Sequence, residues 1–523
     1  MANDFDAIIV GSGFGGAVVS HRLAAAGHRV LVLERGRRWH PGTFPRAPQD
    51  PWLWDDRTPA ARHGWFDFRV FPNMSVVQGA GVGGGSLVYA NVSVDAKPDT
   101  FEHGFPPEIR FGTLAPHYEE VGRMLDVRPV PSDQIPPRTR LLRDAAQRAG
   151  YGHRFRALDL AVSFSDTWND QLPDAYSAAH SVSHVNPFGV TQGTCVHLGN
   201  CDIGCDVNAR NTLDLNYLAA AERDGATIQP LHIVRRVHPT ATGGYDVHVE
   251  EISGSTLKPH VLTAPIVVLS AGSLGSTEIL LRSRAAGLLP LISDQLGRGW
   301  SSNGDFLTPA FHWLRDVRPT RGPTITAAID LLDGDYQGKG IFIEDGGLPD
   351  IGRAFLERFA AEPHDDPRAL RLIASILPLL GQPEIFRHVM PWFAQARDAA
   401  DGRLRLDGAH VTLDWDVAAS RPTIDAVAAL HRRLAFLTEG IPMTPVTWTA
   451  GQDLVTPHPL GGCNMGTTDQ NGVVSHKGAV FNYPGLYVAD GSIVPKALGL
   501  NPSKTIAALA EHIAANLVAD MGA

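Results

Sequence analysis

Cysteine is scarce in this chain, with four residues among 523. A disulfide-stapled scaffold needs a much denser set of cysteines, so that class of protein is excluded. Positive charge is also in deficit, because 45 Lys and Arg face 55 Asp and Glu, giving a formal net charge of −10. This balance argues against nucleic acid and against an anionic membrane surface as partners.

Long apolar runs are missing as well. A membrane span needs roughly 18 apolar residues, and the most apolar stretch, 370–380, is shorter and carries Arg371 and Pro378. No basic segment followed by an apolar one precedes the first motif, so we expect no secretory signal and a cytoplasmic location. With 44% hydrophobic and 19% charged residues, the composition is that of a globular enzyme, long enough for two domains.

Glycine, by contrast, stands at informative positions near the start of the chain. Gly11-Ser12-Gly13-Phe14-Gly15-Gly16 lies between an apolar run, 7–10, and a helical pattern, 17–26, and a second apolar run ends at Glu34. This strand–turn–helix–strand context is typical of a dinucleotide site, with phosphates at the helix N-terminus and an acidic residue on the ribose. A glycine-rich turn without a ligand is the alternative.

A second glycine run, 79–85, has apolar neighbours on both sides and indicates backbone that passes close to a flat or phosphorylated group; a flexible linker is the alternative. Another strand–turn–helix pattern follows at 265–276. We predict the remaining elements from periodicity and turn residues. They are a loop or cover at 36–73, helices at 117–127, 138–149 and 211–221, strands at 226–238, 245–252, 324–329, 340–343 and 411–415, and a helical block at 350–398.

Three motifs mark the C-terminal part: His458-Pro459-Leu460-Gly461-Gly462-Cys463, then Tyr487 to Ser492, then Asn501-Pro502-Ser503-Lys504-Thr505. Pro502 suits the first position of a helix, whose positive N-terminus would face an anionic group. A histidine in a tight loop suits proton transfer, because its usual pKa of about 6.5 lies near working pH.

Together these motifs resemble the glucose–methanol–choline (GMC) flavin oxidoreductases, most closely the cholesterol oxidase branch. Met74 to Leu87, Asn211 to Leu218, Ser270 to Arg282 and Asn303-Gly304 carry the same resemblance. It implies an α/β fold with a Rossmann-type FAD-binding domain (GMC / p-hydroxybenzoate hydroxylase-like) and a second α+β substrate domain on a mixed or antiparallel sheet. The expected domains are 1–300, with substrate-domain segments around 100–190, then 301–450, and a return to the FAD domain over 451–523.

The resemblance implies FAD, bound non-covalently, since no histidine lies between Met74 and His103 to form the histidyl link of some family members. The implied cofactor-binding residues are Gly11, Gly13, Phe14, Gly15, Gly16, Glu34, Gly79, Gly83, Gly84, Gly85, Ser86, Val234, Gly272, Asp490, Gly491, Asn501, Pro502 and Thr505.

Three residues are implied in catalysis. His458 would be the base for the substrate hydroxyl and Asn501 would place that hydroxyl; a histidine merely bonded within its loop and a simple helix cap are the alternatives. Glu344 follows three apolar residues, where the cholesterol oxidase branch carries a glutamate assigned to steroid isomerisation. An ordinary glutamate at the end of a strand is its alternative.

Cys195, Cys201 and Cys205 depart from the secreted cholesterol oxidases and resemble a cysteine segment of some iron–sulfur GMC dehydrogenases. They could ligate an iron–sulfur cluster or, with His197, zinc. Three buried or free thiols are the favoured alternative, so we expect no metal.

The sequence thus predicts FAD-dependent oxidation of a bulky hydrophobic secondary alcohol, with a 3-hydroxysteroid as the leading candidate, by hydride transfer to the flavin. Dioxygen or an electron carrier would be the acceptor. A dehydrogenase of terpenoid, aromatic or cyclic alcohols, a lyase with structural FAD, and a non-catalytic flavin carrier are the alternatives. The sequence does not assign an oligomeric state.

Overall fold

The computed structural model describes residues 5–349 and 385–522. The first strands are β1 (Ala7–Val10), β2 (Val30–Leu33), β3 (Leu53–Trp54), β4 (Phe66–Phe71), β5 (Met74–Gly79), β6 (Phe155–Ala157), β7 (His184–Val185), β8 (Thr191–Gln192), β9 (Thr227–Gln229), β10 (His232–Pro239), β11 (Tyr245–Ser253) and β12 (Thr256–Ala264). The later strands are β13 (Ile266–Leu269), β14 (Arg298–Trp300), β15 (Phe306–Phe311), β16 (Ala327–Tyr336), β17 (Lys339–Asp345), β18 (Val389–Ala396), β19 (Gly402–Asp407), β20 (His410–Asp414), β21 (Ile441–Pro442), β22 (Leu454–Thr456) and β23 (Leu486–Val488).

The α-helices of the described residues contact both the sheets and one another. They are α1 (Phe14–Ala25), α2 (Phe111–Met124), α3 (Pro137–Arg148), α4 (Tyr217–Arg223), α5 (Gly272–Ala285), α6 (Arg421–Leu437) and α7 (Ser503–Gly522). Between residues 5–349 and 385–522, no helix is both long enough and apolar enough to cross a bilayer.

A parallel five-stranded sheet carries the N-terminal fingerprint, in the order β23-β13-β1-β2-β9. β1 pairs with β13 from Ala7 opposite Ile266 and with β2 from Ala7 opposite Val30. Every residue of β1 and β2 is buried, because helices cover the sheet and an apolar run without alternation suits that environment. The loops after β1, β13 and β23 therefore meet at one edge, where open α/β sheets bind ligands.

A second sheet has six antiparallel strands in the order β21-β15-β18-β17-β16-β6. Successive side chains of a strand point to opposite faces, and Glu344 of β17 lies opposite Phe393 of β18 in register. Phe393, Gln395 and Glu344 thus share one face of this sheet. The two sheets together confirm the predicted fold class.

Several predicted elements need correction. The segment 36–73, expected as a loop or cover, contains β3 and β4, because β4 pairs along its whole length with β5. The helix expected at 211–221 begins only at Tyr217, since the Asn216 side chain accepts a hydrogen bond from the Tyr217 amide and caps α4 there.

The prediction of a helical block at 350–398 is wrong at its C-terminal end. Residues 389–396 form β18, the central partner of β15 and β17, because pairing on both sides outweighs local helical pattern. The apolar stretch 370–380 lies outside the described residues.

Candidate active site

A cavity of about 1000 Å³ runs between the two sheets. One end lies at the turn after β1 and at Glu34, and the other lies at His458, Asn501 and the substrate-side sheet. Most of the predicted site residues line this one space. They are Gly11, Gly13, Phe14, Gly15, Glu34, Gly79, Gly84, Gly85, Val234, Gly272, His458, Asp490, Gly491, Asn501 and Pro502.

Five predicted residues, Gly16, Gly83, Ser86, Thr505 and Glu344, do not line the cavity. Gly16 lies behind the turn, where a Cβ would come 2.0 Å from the Gly11 carbonyl oxygen, so its absence of a side chain permits helix packing. Ser86 donates a hydrogen bond to the Gly83 carbonyl at 2.7 Å and so shapes the glycine run. The Thr505 hydroxyl lies 2.8 Å from the Tyr118 hydroxyl. The fifth, Glu344, is fully buried. Their direct contacts with a cofactor stay predictions.

The dinucleotide end is organised around Glu34. Its Oε2 accepts hydrogen bonds from the Ser12 amide at 3.1 Å and the Ser12 hydroxyl at 2.7 Å, and its Oε1 accepts one from the Gly36 amide at 2.9 Å. A carboxylate offers about four acceptor positions, so one remains for a ribose hydroxyl. The bonds also fix the turn after β1 against the end of β2.

The two glycine motifs touch each other. Gly84 has φ +53°, and a Cβ there would lie 2.6 Å from the Gly13 Cα. The second run is therefore held directly over the fingerprint. Arg210, which is buried, fixes the far side of that run by donating to the carbonyls of Ser86, Leu87 and Tyr89 at 2.6 to 2.9 Å.

Asp490 joins the turns that follow β13 and β23. Its Oδ2 accepts from the Gly272 amide at 2.8 Å and the Ser276 hydroxyl at 2.5 Å, while Oδ1 accepts from the Ser492 amide at 2.8 Å and hydroxyl at 2.5 Å. Burial raises the pKa of Asp490 despite these four donors. The side chain thus holds the loop that presents Gly491 to the cavity.

His458 is held by a carboxylate that the sequence motifs did not single out. Its Nδ1 lies 2.9 and 3.1 Å from the two oxygens of Asp305, which is 1% exposed. The Thr456 hydroxyl donates to the same carboxylate at 2.6 Å. Because a carboxylate only accepts, Nδ1 carries the proton and Nε2 is left as a proton acceptor. No described residue pairs with Nε2, and the side chain lines the cavity.

Local structure explains this pairing. Asp305 directly precedes β15 and His458 follows β22 by two residues, so the ends of two strands bring the pair together. Asn303, at φ 57°, accepts from the amides of Leu498 and Gly499 and donates to the Leu500 carbonyl. The same turn thereby positions the chain segment that leads into Asn501. The sequence singled out Asn303-Gly304, but it did not predict the hydrogen bonds of Asn303 to the segment 498–500.

Glu344 and Asn501 meet beside the histidine. Gln395 Nε2 donates to Glu344 Oε2 at 2.9 Å, while Glu344 Oε1 and Asn501 Oδ1 are both buried without a partner among the described residues. Burial raises the pKa of Glu344 to about 8, and the Gln395 and Asn501 amides offset that rise only in part. Glu344 is therefore mainly protonated at pH 7.

None of Cys195, Cys201 and Cys205 lines the cavity; Cys201 is buried and the other two are partly exposed. The described residues contain no cluster of three or more Cys, His, Asp or Glu side chains suited to a metal ion. His197 is engaged elsewhere, since its Nε2 lies 3.1 Å from Gln134 Oε1 and its ring stacks on Trp168 at 3.9 Å. Burial raises the pKa of the Cys195 and Cys205 thiols, which disfavours the thiolates that metals bind.

Comparisons with known proteins agree with this geometry. A family model described as GMC oxidoreductase matches residues 398–510, and one described as an NAD(P)-binding Rossmann-like domain matches residues 9–45. A cholesterol oxidase from Acinetobacter baumannii is 30% identical over 539 residues, covering 97% of this chain and 93% of its own. The chain belongs to the GMC oxidoreductase family. A cholesterol oxidase from Mycobacterium tuberculosis is also 30% identical, over 98% of this chain and 91% of its own.

Solved structures share the fold at lower identity. Pyridoxine 4-oxidase from Mesorbium loti superposes with a TM-score of 0.64 at 17% identity, covering 98% of this chain and 99% of its own. A fungal aryl-alcohol oxidase gives 0.60 at 17% identity over the whole of both chains. This GMC protein is accordingly an FAD-dependent alcohol oxidoreductase with a cholesterol oxidase-like sequence.

The residues present fit FAD. Glu34 retains an acceptor position at one end of the cavity, and the Gly13–Gly84 contact leaves bare backbone along its wall. At the other end lies Asn501, whose Oδ1 has no partner within residues 5–349 and 385–522. Asn501 stands just before α7, whose N-terminus favours negative charge. Bound FAD would extend from Glu34 to Asn501.

Proposed function

We propose that this GMC oxidoreductase oxidises a bulky hydrophobic secondary alcohol to the ketone, with 3-hydroxysteroids as the leading candidates. The observation that carries the proposal is the Asp305–His458 pair, whose Nε2 is available at the substrate end of a cavity of about 1000 Å³. A base beside the apolar side chains of Phe306 and Phe393 suits removal of a hydroxyl proton from a hydrophobic substrate.

The proton moves along a defined route. The substrate hydroxyl gives its proton to His458 Nε2, and the resulting imidazolium is stabilised by the Asp305 carboxylate at 2.9 Å. Asn501 orients the hydroxyl oxygen from the start of α7. FAD, when bound, supplies the acceptor for the hydride that leaves the carbinol carbon. The alcohol thereby loses one proton and one hydride and becomes a ketone.

The substrate end of the cavity supports a large apolar substrate. Phe306 and Leu307 of β15 and Phe393 of β18 line it from the sheet. Met443 and Val446 line it from the segment after β21. The two cholesterol oxidases at 30% identity point to the same substrate class.

Coupled steroid isomerisation through Glu344 is a second candidate activity. Its buried carboxyl, with a pKa of about 8, can hold and release a proton near neutral pH. Glu344 does not line the cavity, whereas its register neighbour Phe393 does. An isomerising role thus requires a rearrangement that brings this carboxyl to the substrate space.

Anaerobic mixing with cholest-5-en-3β-ol and with smaller cyclic alcohols tests the proposal. We expect loss of the flavin absorption bands and one ketone formed per flavin, and a His458→Gln variant with full FAD content should lose at least 100-fold in rate. Product formation with unchanged flavin bands would favour the lyase alternative. Comparison of dioxygen with a soluble dye as oxidant would then separate an oxidase from a dehydrogenase.

A further inference from the structure

Part of the polar lining of the cavity has no role in the oxidation chemistry. Asp202 and Thr324 both line the cavity, together with Ile325 and the segment 346–348. Asp202 lies in a short turn, Cys201–Ile203, and Thr324 precedes β16. The Thr324 hydroxyl donates to Asp202 Oδ1 at 3.2 Å. A carboxylate and a hydroxyl therefore line the cavity beside the start of β16.

Asp202 has no cationic partner in contact among the described residues. The nearest guanidiniums belong to Arg210 and Arg138, and both are committed to backbone carbonyls: Arg210 to Ser86, Leu87 and Tyr89, and Arg138 to Arg321 and Pro323. Burial raises the pKa of Asp202 to about 6, so the group is ionised at pH 7. A partly buried carboxylate with one hydroxyl donor is costly unless a further donor arrives.

The position of Asp202 relative to His458 can be traced along the second sheet. The rings of His458 and Phe393 lie 6.3 Å apart, and Phe393 is opposite Glu344. Three residues after Glu344, a Cβ on Gly347 would lie 2.9 Å from the Thr324 carbonyl oxygen. Three residues span at most about 10 Å. Asp202 and Thr324 thus lie beyond the C-terminal end of β17, displaced along the sheet from the Phe393 ring beside the base.

We propose that Asp202 and Thr324 form a distal substrate subsite, which binds a hydroxyl or protonated amine at the end of the substrate remote from the reacting hydroxyl. This inference rests on the proposed function and narrows its substrate class to elongated hydrophobic alcohols with a second hydrogen-bond donor. A site built around a buried acceptor rejects analogues that lack the donor.

The test compares two alcohols that differ only at the far end, androst-5-ene-3β,17β-diol and androst-5-en-3β-ol. In the FAD-loaded enzyme at pH 7.5, kcat/KM should be about 10- to 100-fold higher for the diol, the range of one hydrogen bond to a charged group. Asp202→Asn and Asp202→Ala should abolish this preference while keeping turnover of the mono-alcohol. The control is Asp206→Asn, four residues along the same segment, where the side chain pairs with Arg46 at the surface.

Each outcome of this comparison either supports or overturns the proposed subsite. Loss of the preference in both Asp202 variants, but not in Asp206→Asn, supports the subsite. Equal kcat/KM for the two alcohols in the wild type, or a preference that survives both Asp202 substitutions, overturns it while leaving alcohol oxidation intact. If neither alcohol bleaches the flavin, the steroid function itself fails and the subsite falls with it.

Discussion

Replacing Asp305 by Asn removes one charge from a group that holds the base in position. In the structure the carboxylate accepts from His458 Nδ1 at 2.9 Å and from the Thr456 hydroxyl at 2.6 Å. An Asn side chain has one acceptor oxygen for these two donors, and its NH₂ would favour the histidine tautomer with the proton on Nε2. That tautomer cannot accept the substrate proton. The loss should approach the whole contribution of a general base, about 10²- to 10⁴-fold in rate, or roughly 3 to 5 kcal/mol of activation free energy.

The assay is anaerobic stopped-flow measurement of flavin reduction at saturating alcohol. Asp398→Asn is the matched control, because Asp398 supports the same turn through Ser301 and Ser302 without touching His458. We expect a small change in the control and no further loss when His458→Gln is added to Asp305→Asn, since the two residues act as a unit. A fully FAD-loaded Asp305→Asn variant that reduces flavin within about 3-fold of the wild type would refute the reasoning.

Three further predictions follow from single contacts. The raised pKa of Glu344 means that the folded protein holds this proton more tightly than the unfolded chain. The free energy of unfolding that Glu344 contributes is therefore complete below about pH 4.5 and declines as pH rises toward 8. Glu344→Gln should flatten that decline by an amount on the order of 5 kcal/mol in denaturant unfolding, and an unchanged pH dependence would contradict the burial of this acid. Gly84→Ala should purify with much less FAD, measured by the ratio of visible to ultraviolet absorbance, because the new Cβ would meet Gly13 at 2.6 Å; full occupancy would show that the two glycine turns can separate. Anaerobically purified protein should contain no iron, and Cys195→Ser should reduce flavin at the wild-type rate; stoichiometric iron would refute the thiol interpretation.

The dinucleotide half could be predicted because its signals are local. The fingerprint, the flanking apolar runs and Glu34 lie within one βαβ unit, where turn chemistry and strand burial depend on neighbouring residues. The C-terminal histidine and asparagine were also visible, since each stands in a tight Pro-containing motif.

Long-range partners could not be predicted in the same way. Asp305 is one of 55 acidic residues in the sequence, and only the meeting of β15 and β22 brings it to His458. Gln395 and β18 were missed for the same reason, because a central strand gains its stability from pairing on both sides rather than from its own pattern. The helical prediction there followed local periodicity, which pairing overrode.

The most direct test of the central claim uses a substrate with deuterium on the carbinol carbon. Anaerobic mixing of the FAD-loaded enzyme with the protiated and deuterated 3β-hydroxysteroid should bleach the flavin in both cases, more slowly with deuterium, and yield one ketone per flavin. Equal rates would show that breaking the carbon–hydrogen bond does not limit flavin reduction. Ketone formation with the flavin bands intact would contradict hydride transfer to the flavin altogether.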